Sequence, residues 1–198
     1  MRTLLLVSAL LVATATPASA ATPLDAGTTL TTSTGARCSN GFNVRGYLLL
    51  SPRCGPVGTT VRAGSAVVGR VVSVSTTYAV VRIDNPSAWV QRPRIVGSTT
   101  TVTGSVEAAV GGAVCMSGRT TGWRCGTVQA KNQTVNFAEG TVHGLTRVGL
   151  CPQPGDEWAP VVSGSQAQGH LFGGSGCTAY FLPVRPILSA GGFTLVTG

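Results

Sequence analysis

Charge is scarce in this sequence. Charged residues fill 10% of its 198 positions, far below the ~25% usual in soluble domains, and only 6 of them are acidic. Lysine occurs once, as Lys131, and the two histidines are His143 and His170. With so few histidines and no Cys-x-x-Cys spacing, no metal site is expected, and no cofactor either. The basic residues are scattered, not drawn into a stripe with interleaved aromatics, which excludes a nucleic-acid interface. Past residue 20 no apolar run approaches the ~20 residues a bilayer crossing needs, so no membrane span is expected.

What is present begins with a leader. Arg2, the apolar run Leu4 to Ala13 and the small residues Ala18-Ser19-Ala20 predict a cleaved signal peptide over residues 1–20, hence a secreted, extracellular chain beginning at Ala21. The mature part keeps 13 basic against 6 acidic residues, a net charge of +7 with weak attraction to anionic surfaces. Six cysteines (Cys38, Cys54, Cys115, Cys125, Cys151 and Cys177) in a secreted chain imply three disulfides. Several pairings are open in principle, and local spacing favours sequential ones.

Residues 21–35, with six threonines and little apolar matter, read as a flexible N-terminal arm. From Cys38 onward short runs of Val, Thr, Ile and aromatics alternate with Gly, Pro, Ser and Asn. Such runs are Phe42 to Leu50, Ala66 to Val74, Tyr78 to Ile83, Thr99 to Val106, Ala113 to Met116, Arg124 to Ala130 and Thr134 to Phe137. Thr141 to Val148, Ala159 to Val162, Gln168 to Phe172 and Thr178 to Leu182 follow. Only Val184 to Ala190, stopped by Gly191-Gly192, predicts a helix. The pattern is all-β, a barrel or sandwich over residues 36–198.

Gly155-Asp156-Glu157-Trp158-Ala159-Pro160 resembles the nucleophile turn Gly-Asp-Ser-Gly-Gly-Pro of chymotrypsin-like serine proteases. Cys38-Ser39-Asn40-Gly41-Phe42-Asn43-Val44-Arg45 with Leu50-Ser51-Pro52-Arg53-Cys54 resembles the start of the α-lytic protease and streptogrisin branch. The hairpin from Ala113 to Thr127, the stretch Gly173-Gly174-Ser175-Gly176-Cys177 and the tail from Arg185 to Gly198 are similar to the same branch. The resemblance covers nearly all of residues 36–198. It implies two antiparallel β-barrels, about 36–105 and 106–198, with a short C-terminal helix and a cleft between them. It also implies the disulfides Cys38–Cys54, Cys115–Cys125 and Cys151–Cys177.

The departures carry the functional expectation. At the position of the general-base histidine stands Arg53, which stays protonated and cannot accept a proton. The aspartate position falls at Thr77, and the nucleophile position is Glu157. Thus no catalytic residue is expected: Arg53, Thr77 and Glu157 form a degenerate triad. The backbone N–H groups of Gly155 and Glu157 keep the form of an oxyanion hole. Met116 replaces an arginine, leaving Asp156 in need of another donor. Phe172, Gly173, Gly174 and Ser175 form the specificity-pocket-like wall, which Phe172 and Trp158 are expected to narrow. The family's long pro-segment has no counterpart but residues 21–35, as expected of a chain with no activity to suppress.

The function expected is therefore that of a monomeric secreted pseudoprotease holding an extended peptide, a protease inhibitor or an anionic surface. The alternative is an active serine-type endopeptidase or another hydrolase using other residues. A salt bridge between Arg53 and Glu157, with Thr77 accepting a further guanidinium bond, is expected across the cleft.

Overall fold

The computed structural model describes residues 20–198. The expected signal peptide lies outside the described residues apart from Ala20.

In the first half the strands are β1 (Thr22–Ala26), β2 (Thr29–Thr32), β3 (Arg37–Ser39), β4 (Asn43–Val44), β5 (Tyr47–Leu50), β6 (Thr60–Ala63), β7 (Ala66–Val74), β8 (Ala79–Ile83) and β9 (Trp89–Ile95). All but β1 and β9 join one antiparallel sheet in the order β3-β2-β6-β7-β8-β5-β4. Its inner face is built from Leu30, Leu48, Leu50, Val61, Val68 and Val81. β-branched and leucine side chains alternate inward along these strands, which is why the runs sit in a sheet. β1 and β9 form a separate parallel pair, closed by a bidentate Arg92–Asp25 contact in which Nε donates to Oδ1 at 2.7 Å.

The second half closes on itself. β10 (Ala113–Gly118), β11 (Gly122–Phe137), β12 (Gly140–Val148), β13 (Pro160–Ser163), β14 (Gln166–Ser175) and β15 (Thr178–Pro183) form a closed barrel in the order β10-β11-β12-β15-β14-β13. Val114, Met116, Val148, Val161, Leu171 and Phe181 fill it. Helix α1 (Val184–Gly191) follows, buries Val184 and Ile187, and ends at Gly192 in the left-handed conformation with φ +62°. The tail then crosses back to the first sheet, where the Arg45 amide donates to Thr194 O and the Val196 amide to Asn43 O, each at 2.9 Å. A shared core of Val44, Leu49, Val80, Leu145, Trp158, Leu182 and Ile187 joins the two halves.

The fold is the all-β, two-barrel architecture with one short helix that the sequence predicts, and four local readings change. Phe42 to Leu50 is not one strand but the antiparallel hairpin β4–β5, turned at Arg45-Gly46 with Gly46 at φ +79°. Residues 21–35 are not a loose arm: β1 and β2 lie there, with Leu24, Ala26 and Leu30 buried. Their apolar side chains alternate inward, and that outweighs the threonine-rich composition. Thr99 to Val106 is not a strand. It makes only the isolated bridges Arg94↔Thr101 and Gly104↔Gln166, because its amides are taken by Ser165 O and the Gln166 side chain. The runs Arg124 to Ala130 and Thr134 to Phe137 are one strand, β11, interrupted by a bulge where Asn132 takes φ +54°. Strands β3, β6 and β9 fall in segments with no strand expectation.

Candidate functional site

The turn from Pro154 to Trp158 enters the cleft between β12 and β13. Gly155 takes φ +101°, a conformation that favours glycine, and a Cβ there would stand 2.5 Å from Thr120 Oγ1. Asp156 is wholly buried. Its carboxylate accepts from the Gln153 amide at 2.9 Å, the Thr120 amide at 2.7 Å, the Thr121 amide at 3.1 Å and Thr121 Oγ1 at 2.8 Å. Burial alone would raise its pKa, but these four donors outweigh that and hold the carboxyl below its ordinary range. The other donor that Asp156 was expected to need is thus the Thr120–Thr121 turn, with Met116 free to pack in the barrel core.

Glu157 is exposed, and its carboxylate folds back on its own turn. Oε2 accepts the Gly155 N–H at 2.9 Å. One of the two backbone donors expected to form an oxyanion-hole-like pair is therefore already engaged by an anion from the same turn.

Arg53 sits in a single 3-10 turn, Pro52–Cys54, started by Ser51, whose Oγ accepts the Arg53 amide at 3.3 Å. The Cys38–Cys54 disulfide anchors that turn to β3. The expected bridge to Glu157 does not form. The Arg53 guanidinium instead meets Glu139, on the turn joining β11 to β12, at 2.6 Å, and both side chains are more than half exposed. The reason is local: Glu157 finds a donor two residues away, and Glu139 comes within reach of Arg53. Thr77 lies in the turn before β8, where its amide and that of Tyr78 donate to Ser75 Oγ at 3.2 and 3.0 Å; the expected bond from the Arg53 guanidinium to its hydroxyl is absent.

Trp158 turns away from the cleft. Its φ of +66° sends the indole backward, where it is 2% exposed. Nε1 donates to Leu49 O in the first sheet at 2.8 Å, and the ring stacks on His170 with centroids 4.6 Å apart and planes 9° apart. His170, on β14, is wholly buried. Its Nε2 accepts the Phe42 amide at 2.9 Å, which places the ring proton on Nδ1. Burial pushes its pKa down to about 3. Gly41 admits the ring, for a Cβ there would meet Nε2. The sequence marks Trp158 as cleft bulk and gives His170 no role; the stretch between them carries no motif that links the two. The other histidine, His143, lies on the β11–β12 hairpin with Nδ1 2.9 Å from Thr134 Oγ1.

A cavity of about 510 Å3 opens beside the turn. Pro152, Gln153 and Pro154 form one wall, and Phe172, Gly173, Gly174 and Ser175 the other. The Cys151–Cys177 disulfide ties the two walls together, and Cys115–Cys125 spans β10 and β11. Trp158 is not part of its lining, and Phe172 packs against Phe137 with ring centroids 5.1 Å apart. The expected narrowing by Trp158 is therefore corrected. Beyond Leu171, β14 has β15 along one edge and no strand along the other among the described residues. Also among these residues, no helix is long and apolar enough to cross a membrane.

Two barrel-like sheets, a cleft between them and a buried aspartate beneath a tight Gly-Asp-x turn define the chymotrypsin fold of serine proteases. The chain belongs to the streptogrisin and α-lytic protease family of bacterial serine proteases. It is 43% identical to streptogrisin C of Streptomyces griseus over 81% of its length, and 37% identical to streptogrisin A of the same organism over 82%. It spans 38% and 58% of those two proteins. The crystal structure of Thermobifida fusca protease A is 44% identical and superposes with a TM-score of 0.78, over 89% of this chain and 100% of that one. No family model matches the chain.

Proposed function

We propose that the chain is a secreted, non-catalytic member of this family that holds an extended peptide in its cleft. The observation that carries the reading is Glu157. A carboxylate stands in the turn where the family presents its nucleophile, and it accepts the Gly155 N–H. It has no proton to surrender to a base and no acyl-transfer route open to it of the serine kind. Arg53 supports the same reading, because a guanidinium cannot take up a proton at working pH. His170 cannot substitute: it is buried, and its one basic nitrogen is spent on the Phe42 amide. Peptide binding is supported by the unpaired edge of β14 at Phe172–Ser175 beside the 510 Å3 cavity, the arrangement needed to add a ligand strand by backbone hydrogen bonds.

The test uses the secreted chain, a fluorophosphonate probe and a panel of blocked peptides. No covalent labelling and no cleavage are expected, with calorimetric binding of at least part of the panel. Labelling of a serine or threonine located by mass spectrometry, with turnover, would overturn the reading. A hydrolase reading has one supporting observation, the Thr134 hydroxyl against His143 Nδ1; it requires that His143→Ala abolish any turnover found.

A further inference from the structure

Glu157 also lines a second cavity, of about 220 Å3, to which the Phe172–Ser175 wall does not contribute. Arg37, Arg53 and Arg119 all line it, with Ser51, Glu157 and Trp158. In a chain with 10% charged residues, three guanidinium groups around one small cavity is a strong concentration of positive charge. The only carboxylate in the lining, Glu157, is engaged by the Gly155 N–H.

Arg119 supplies a second, independent observation. Its guanidinium lies against the Glu157 turn, since a Cβ built on Gly155 would stand 3.3 Å from Nη2. Its Nη1 is buried with no protein acceptor. A guanidinium with a buried nitrogen that meets no protein acceptor is short of negative charge, and an anion at its cavity-facing edge would offset part of that cost. The four ion pairs among the described residues use Arg53, Arg70, Arg92 and Lys131. Arg37 and Arg119 are thus uncommitted to any carboxylate.

We propose that this second cavity is a carboxylate-recognition site, which takes an aspartate or glutamate side chain of the peptide held in the cleft. The peptide runs from the Phe172–Ser175 edge past Glu157, and its acidic side chain enters between Arg119 and Arg37. The cavity-facing edge of the Arg119 guanidinium donates to one carboxylate oxygen, and Arg37 closes from the exposed side. A guanidinium holds a carboxylate through paired N–H groups better than any other side chain does. This assignment rests on the peptide-holding reading above, and names the chemistry that the second cavity selects.

The test compares three peptides: acetyl-Ala-Ala-Pro-Ala-Glu-Glu-amide, and the same sequence ending in Ala-Ala or Lys-Lys. Calorimetry at low salt should give the acidic peptide about tenfold tighter binding than the neutral one. Arg119→Gln and Arg37→Gln should each remove most of that preference without weakening the neutral peptide, and Arg62→Gln, outside the cavity, should leave it intact. Arg119→Lys, which keeps the charge, should retain part of it and serves if the Gln variant does not fold. Equal affinity for acidic and neutral peptides, or equal loss of both in Arg119→Gln, overturns the carboxylate site and leaves the peptide reading standing. A parallel titration follows the Gly155 amide and Arg119 Nε–H by NMR with glutarate. If no peptide binds but glutarate shifts these signals, the peptide reading falls and the carboxylate site stands. If neither binds, both fall.

Discussion

Replacing Trp158 by alanine and by glycine separates two opposing contributions at one residue. The indole is 2% exposed, stacks on His170 and donates to Leu49 O across the two halves of the fold. Truncating a buried tryptophan to alanine costs about 3–5 kcal/mol. The upper half of that range is expected here, because the Leu49 carbonyl also loses its donor. Against this, the residue sits at φ +66°, where any side chain costs about 1–2 kcal/mol relative to glycine. Trp158→Ala keeps that strain, and Trp158→Gly relieves it. The alanine variant should lose about 4 kcal/mol and the glycine variant about 3. This order is the reverse of an ordinary buried position, where glycine is the worse by about 0.5–1 kcal/mol. Urea unfolding followed by far-ultraviolet circular dichroism reads the difference. With a slope of about 2 kcal/mol per molar, the alanine midpoint should fall by about 2 M and the glycine midpoint by about 1.5 M. An alanine variant as stable as the glycine variant would refute the strained-backbone argument. Losses below about 1 kcal/mol in both would show that the indole does not join the two halves.

Three further outcomes are expected. Burial holds the pKa of His170 near 3 against an ordinary 6.5, so between those values the unfolded chain binds the extra proton. Stability is therefore full above pH 6.5 and falls as the pH drops toward 3, by at most about 1.4 kcal/mol per pH unit; urea midpoints at several pH values should show this fall flattened in His170→Phe, and equal slopes in both chains would contradict it. The depressed Asp156 carboxyl adds its own loss only below its ordinary 3.8, so the two effects separate. A double-mutant cycle on Arg53→Ala and Glu139→Ala should show coupling below about 1 kcal/mol for so exposed a pair, and the Arg53–Glu157 cycle should show none within error. Non-reducing peptide mapping should return only Cys38–Cys54, Cys115–Cys125 and Cys151–Cys177, and removing the bridge with a sequence separation of 26 should cost more than removing the one with a separation of 10, by about 0.8 kcal/mol from loop closure.

The fold was legible because its signals are local or covalent. Runs such as Ala66 to Val74 read as strands from side-chain type alone and are strands at those bounds. The stop of α1 at Gly192 is set by a backbone that only glycine takes easily. In the threonine-rich segment 21–35 the period of the apolar side chains outweighs composition. Leu24 with Ala26, and Leu30 with Thr32, point inward at the period of two that marks a half-buried strand. Each run is too short to stand out until the sheet receiving it is known.

The site was legible in its chemistry and not in its geometry. That Arg53, Thr77 and Glu157 are an arginine, a threonine and a glutamate follows from the sequence; which atoms they meet does not. Two opposite charges expected in one cleft invite a bridge, yet an ion pair must order two long side chains to form. Glu157 bonds an amide two residues away, which orders little else. Arg53 then takes Glu139, placed by a turn between β11 and β12 whose course no motif records. Trp158 is the sharper case. Side-chain direction follows the backbone, and at φ +66° the indole leaves the cleft for the interface of the two halves. It needs a flat partner there, and His170 is that partner, held neutral by burial, fixed by the Phe42 amide and admitted by Gly41. Trp158 and His170 lie in different segments and stack on each other, so each accounts for the other. The turn from Pro154 to Trp158 thus gives its tryptophan to the core that holds the two halves together.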